Sequence, residues 1–159
     1  MENSTGPERT LSRFPLLFYL TIALLITGCR AAGDAPLVVQ DAWARPSPQG
    51  APSAAFYLTI DNQTSRQDVL QQVRSDNCET AEPHRTQMDA EGVMRMAPVT
   101  DGRLTIAPGE TVALAPGGLH VMCIGLRVPL VQGEESTLIL DFEQAGSLSV
   151  QVAIRQDEP

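Results

Sequence analysis

A chain of 159 residues has room for one domain with a short appendage, and all eleven of its basic residues are arginines, scattered singly under a formal net charge of −8. With no basic patch to hold a phosphate backbone, nucleic acid is excluded as a partner. Twelve glycines and twelve prolines between short apolar runs speak for strands joined by turns.

In chain order, the first element is FPLLFYLTIALLI (14–26), preceded by Arg9 and Arg13. It is too short to span a bilayer comfortably and has the layout of a secretory signal. It runs into Ile26-Thr27-Gly28-Cys29, which resembles the bacterial lipobox and implies cleavage before Cys29 and lipid on its sulfur. Acyl chains there would hold the protein to a membrane without a spanning helix, in the bacterial periplasm or at the cell surface. Residues 1–28 thus read as a signal peptide, 29–36 as the lipidated cysteine and a tether, and 37–156 as the folded domain.

That domain parses into ten short segments. They are LVVQDAWARP (37–46), SAAFYLTIDN (53–62), DVLQQVRS (68–75), TAEPHRTQM (80–88), VMRMAPV (93–99), RLTIAP (103–108), TVALAP (111–116), LHVMCIGL (119–126), STLILDFE (136–143) and SLSVQVAI (147–154). Turn residues separate them at close to regular spacing. The pattern predicts an all-β fold, an antiparallel β-sandwich with Greek-key connections. Pro83 inside its segment predicts a short or edge strand, with His84 reaching solvent.

Both histidines, His84 and His120, and the methionines Met88, Met94, Met96 and Met122 fall within residues 84–122. Residues two apart on a strand share a face, which pairs His120 with Met122, Met94 with Met96, and Glu82 with His84. In LHVMCIGL the residues Leu119, Val121 and Cys123 form an apolar core face, leaving His120 and Met122 on the other. Met94 and Met96 taken alone read more simply as core fillers. A thioether–imidazole set suits Cu(I) and is poor for Mg, Ca or Mn, and methionine needs no deprotonation to bind. A zinc site from His84, His120 and Glu82 competes but leaves the methionines unexplained. Glu82 fits better as a partner that orients His84. No serine sits in a nucleophile elbow and no CxxC occurs, so the chain is read as a non-enzyme. With Cys29 lipidated, Cys78 and Cys123 remain as an even pair, either a disulfide of an exported protein or two buried thiols.

The sequence resembles the periplasmic CuA copper chaperones, the PCuAC family. Their signature is a histidine, a methionine about twelve residues later, and His-x-Met after a further twenty-odd. Here Met96 lies twelve residues after His84, and His120-Val121-Met122 follows. DAWARPSPQGAPSAAFYLTIDN, GVMRMAPV and PGGLHVMCIGL also look like family sequence, and the likeness runs from about residue 38 to 154. It implies a cupredoxin-like β-sandwich binding one Cu(I) through His84, Met96, His120 and Met122, with Met94 a candidate additional ligand and Met88 a weaker one. It further implies delivery to the CuA site of cytochrome c oxidase subunit II, alongside a thioredoxin-like copper metallochaperone. Two positions depart from the pattern: Arg85 stands where some members carry methionine, and the motif predicts no pairing for Cys78 and Cys123. A copper-buffering or resistance lipoprotein with the same site, and an interaction module whose histidines and methionines are structural, are the alternatives.

Overall fold

Alternation of apolar and polar side chains builds ten strands, seen in a computed structural model that describes residues 36–156. The signal peptide expected over 1–28, the lipidation site Cys29 and the tether up to residue 35 lie outside the described residues. The strands are β1 (Leu37–Ala44), β2 (Ser53–Asn62), β3 (Asp68–Arg74), β4 (Cys78–Met88), β5 (Met94–Pro98), β6 (Leu104–Ile106), β7 (Thr111–Leu114), β8 (Leu119–Leu126), β9 (Glu135–Phe142) and β10 (Gly146–Ile154). Helix among the described residues is confined to one 3-10 turn, Thr100–Gly102.

Neighbouring strands run β4-β8-β2-β1-β10-β9-β3, and β3 meets β4 again where Val73 pairs with Ala81. Seven strands therefore close on themselves as a flattened barrel, with β5, β6 and β7 added alongside β4, β3 and β2. The expected all-β, Greek-key sandwich is what forms, with one difference. β1 and β10 pair in parallel, Trp43 with Ala153 and Ala44 with Ile154. A closed ring of seven strands cannot alternate direction throughout, so one pair must be parallel. Here it is the first strand against the last.

Inward-pointing residues fill the barrel: Phe56, Leu58 and Ile60 of β2, Val121 and Cys123 of β8, Leu138 and Leu140 of β9, and Val152 of β10 are all buried. Each large side chain withdrawn from water contributes roughly 1.5–3 kcal/mol before the entropy of ordering it is charged against it.

Pro83 does not mark an edge strand. β4 lies between β5 and β8 and runs from Cys78 to Met88, with Pro83 among the fully buried side chains. On one side of β4, pairing with β3 ends at Ala81 and pairing with β5 begins at His84. The Pro83 carbonyl points to that side, accepting from the Val99 N–H at 2.9 Å, so its nitrogen faces the same gap. The proline sits where one partner strand has ended and the next has not begun, and no ladder bond is lost.

Buried polar groups pin the loops at one end of the barrel. The Asp68 carboxylate is buried and accepts backbone N–H bonds from Val69 at 2.7 Å, Gln144 at 2.9 Å and Ala145 at 2.9 Å. It fastens the β9–β10 turn to β3. Asp68→Ala would strand these donors and is expected to cost about 3 kcal/mol of unfolding free energy. A urea melt displaced by less than a third of that would mean the turn holds without the carboxylate.

Candidate metal centre

Strand register assembles the centre. His84 on β4 lies opposite His120 on β8, and Glu82 opposite Met122. On the far side of β4, Thr86 faces Met96 and Met88 faces Met94 of β5. Because side-chain direction alternates along strands, Glu82, His84, Thr86, Met88, Met94, Met96, His120 and Met122 all occupy one face of the β5–β4–β8 ribbon. Ala55 of β2 pairs with Met122 and Phe56 with Val121, which brings Tyr57 alongside His120, ring centroids 6.4 Å apart. Trp43 follows at 4.7 Å from Tyr57. A bulge in β1 between Gln40 and Trp43, with Asp41 at φ 54°, supplies the extra residue that puts Trp43 opposite Tyr57.

Exposure corrects two expectations. His120 does lie on the face opposite the apolar core, but it is 2% exposed, and His84, expected to reach solvent, is 8% exposed. The face is covered by its own layer: the His120 ring is 6.2 Å from His84, centroid to centroid, and flanked on the other side by Tyr57. Met94 and Met96 reverse the other way. They read as core fillers when taken alone, yet they are 54% and 53% exposed, because β5 lies outside the closed ring with β4 as its only strand partner among the described residues. Met122 is half-buried.

Hydrogen bonds fix which nitrogen of each imidazole is free. The His120 Nδ1 lies 3.0 Å from the Gly118 carbonyl, which only accepts, so Nδ1 carries the proton and Nε2 holds a lone pair. That Nε2 lies 3.3 Å from the Met96 Sδ. In the neutral ring the nitrogen and the thioether sulfur thus face one another lone pair to lone pair, the arrangement expected of two ligands of one cation. At bond lengths of about 2.1 and 2.3 Å, typical of a d10 ion of zinc's size, donors 3.3 Å apart subtend about 100°, near tetrahedral. His84 donates Nε2–H to Glu82 Oε1 at 2.9 Å, leaving its Nδ1 as an acceptor. That Nδ1 is buried and has no hydrogen-bond partner, a costly state for a polar atom that a bound cation would relieve. Burial raises the Tyr57 phenol above its ordinary pKa, opposed by nearby Arg45, so Tyr57 stays neutral and adds no anionic donor.

The turn before β8 sets this geometry. Gly117 has φ 77°, a left-handed conformation suited to glycine, and the bend aims the Gly118 carbonyl at both His120 Nδ1 and the Thr86 N–H, the latter at 3.1 Å. One carbonyl thereby orients the ring and ties β8's entrance to β4. Cys78 and Cys123 form a disulfide with Cα atoms 5.4 Å apart, joining the same two strands. Among the described residues no three His, Cys, Asp or Glu side chains gather where they could hold a metal ion, and Glu82 is occupied by His84, so the zinc set of His84, His120 and Glu82 is not assembled. Tyr57 and Trp43 were not foreseen as neighbours of the site. Parity along SAAFYLTIDN already places Tyr57 opposite the Phe56–Leu58 core face and could have found it.

Solved PCuAC domains share this barrel. A copper-bound PCuAC domain from PmoF2 superposes with a TM-score of 0.63, covering 77% of this chain and 95% of that one at 22% identity, which establishes the shared fold. The solution structure of CuI-DR1885 from Deinococcus radiodurans matches with a TM-score of 0.61 and 27% identity over 80% of this chain and 84% of that one. A protein of Leifsonia xyli subsp. xyli (strain CTCB07) named as a lipoprotein, Lxx21020, is 27% identical across 84% of each chain. Residues 37–154 match the LpqE-like lipoproteins, and the chain belongs to that family.

Proposed function

We propose that this protein is an exported, membrane-tethered copper chaperone that binds one Cu(I) through His84, Met96, His120 and Met122 and delivers it to the CuA site of cytochrome c oxidase subunit II. The observation that carries the reading is the approach of His120 Nε2 to the Met96 sulfur at 3.3 Å, beside the unpartnered His84 Nδ1. Relatives support the metal: the matched Deinococcus radiodurans protein was solved with Cu(I), at 27% identity. Lipoprotein relatives support the export signal over 1–28 and lipidation at Cys29.

The donor set suits a carrier rather than a catalyst. Two imidazoles are buried and oriented, one by Gly118 and one by Glu82, whereas Met96 is half-exposed. Neutral, soft donors select Cu(I), and the exposed thioether is the ligand an incoming acceptor displaces first. Thiolates of a CuA site or of a thioredoxin-like metallochaperone bind Cu(I) more strongly than a thioether, so transfer runs downhill by ligand exchange.

Anaerobic titration of the protein against a competing Cu(I) chelator is expected to show tight binding of Cu(I) and far weaker binding of Zn(II). Cells lacking the protein should lose oxidase activity in low copper and regain it when copper is added. Normal oxidase activity at low copper, with copper sensitivity instead, would replace delivery by buffering.

A further inference from the structure

Three of the methionines stand together at the free end of the β4–β5 hairpin. Met88 lies directly opposite Met94, and Met96 follows two residues on along the same face. Directly opposed residues have Cβ atoms about 4.5–5.5 Å apart, and residues i and i+2 of one strand are about 6.8 Å apart. Three rotatable bonds per methionine bring such sulfurs within reach of one ion. None of the three is used in packing: Met88 is 67% exposed and the other two more than half.

The hairpin holds them in register. Asp89 Oδ1 accepts the N–H groups of Glu91 at 3.1 Å and Val93 at 2.8 Å, and Oδ2 accepts Arg95 Nε at 2.5 Å. Its backbone exchanges further bonds with Val93 and Gly92. Charge is also sorted. Arg85 and Arg95 fall on odd positions, away from the methionines, and Arg95 is paired with Asp89. The methionine face of β4 and β5 therefore presents no cation of its own, and with Val93 set aside the large exposed apolar side chains at this tip are all methionines.

We propose that Met88, Met94 and Met96 form an outer Cu(I) site at the tip of this hairpin, joined to the buried histidine centre through Met96, whose sulfur has two lone pairs and bridges the two ions when both sites are filled. Soft thioethers without an anionic ligand select Cu(I) over divalent ions. A Cu(I) held there passes inward by exchange: bonds to the Met88 and Met94 sulfurs break as bonds to His120 Nε2, His84 Nδ1 and Met122 form, with Met96 retained and no change of oxidation state. The direction of transfer rests on the function proposed above; the outer site stands on the three methionines alone.

The test is anaerobic Cu(I) titration of the protein labelled with [13C]methyl-methionine, read by methyl NMR and by chelator competition. Beyond the first equivalent, the Met88 and Met94 methyl signals should shift. Met88→Leu/Met94→Leu, which keeps size and apolarity on an exposed hairpin, should weaken the second equivalent by about tenfold or more and leave the first unchanged. In His120→Ala/Met122→Ala the Met88 and Met94 shifts should persist, which separates failure of the inner site from failure of the outer one. Met88 and Met94 methyls that stay unmoved through two equivalents in the unmodified protein would overturn the proposal and leave the patch to a docking role.

Discussion

His120→Ala combined with Met122→Ala is expected to lower the affinity for the first Cu(I) by at least about 100-fold. Loss of groups that merely orient ligands costs about 10–100-fold in metal affinity, and these two residues are half of the proposed donor set. His120 contributes more than a nitrogen, because the Gly118 carbonyl selects its tautomer and Met96 already stands at 3.3 Å. With the ring gone, His84 and Met96 face one another across an empty position, and two-coordinate binding at a surface remains. The fold should survive. His120 and Met122 lie on the face opposite the cluster of Leu119, Val121 and Cys123, so the barrel interior keeps its packing. Chelator competition measures the affinity, and a thermal melt of the same variant checks the fold. An affinity within threefold of the unmodified protein, with the fold intact, would leave these residues a structural role only.

Much of this arrangement is legible in the amino-acid sequence, and the failures have a common cause. SAAFYLTIDN and LHVMCIGL match β2 and β8 residue for residue, because alternation is strict and each is bounded by turn chemistry. Parity along β8 then gives the correct face for His120 and Met122. What parity cannot give is the environment of that face. His120 is buried by Tyr57, on a strand 63 positions earlier (120 − 57), and by His84 on the other side, and neither neighbour is local. Pro83 misleads for a related reason. The rule that proline belongs at edges concerns one missing donor, and here the gap between β3 and β5 satisfies it inside the sheet. Met94 and Met96 read as core because their strand alternates, whereas the closure of seven strands without β5 leaves them outside. The bulge at Asp41 that delivers Trp43 has no signal in DAWA itself.

Removing the disulfide with Cys78→Ala/Cys123→Ala is expected to lower the unfolding free energy by about 4 kcal/mol. The bridge spans a sequence separation of 45, and closing a loop of that length in the unfolded chain costs about 13–14 cal/mol/K of entropy, or about 4 kcal/mol at 25 °C. Against the total of 5–15 kcal/mol usual for a domain, that is a large share, and it should lower the melting temperature by roughly 15 °C. The position of the bridge gives the loss a functional side. It joins β4 to β8, whose register sets His84 against His120, and Cys123 is the residue next to Met122. At temperatures where both forms are folded, Cu(I) affinity should therefore fall, but by less than in His120→Ala/Met122→Ala, because every donor is still present. Alanine rather than chemical reduction is needed for this comparison: free thiols would themselves be soft Cu(I) ligands and would mask the loss. A variant that melts within 1 kcal/mol of the unmodified protein would show that the β4–β8 ladder holds the two histidines together without a covalent clasp.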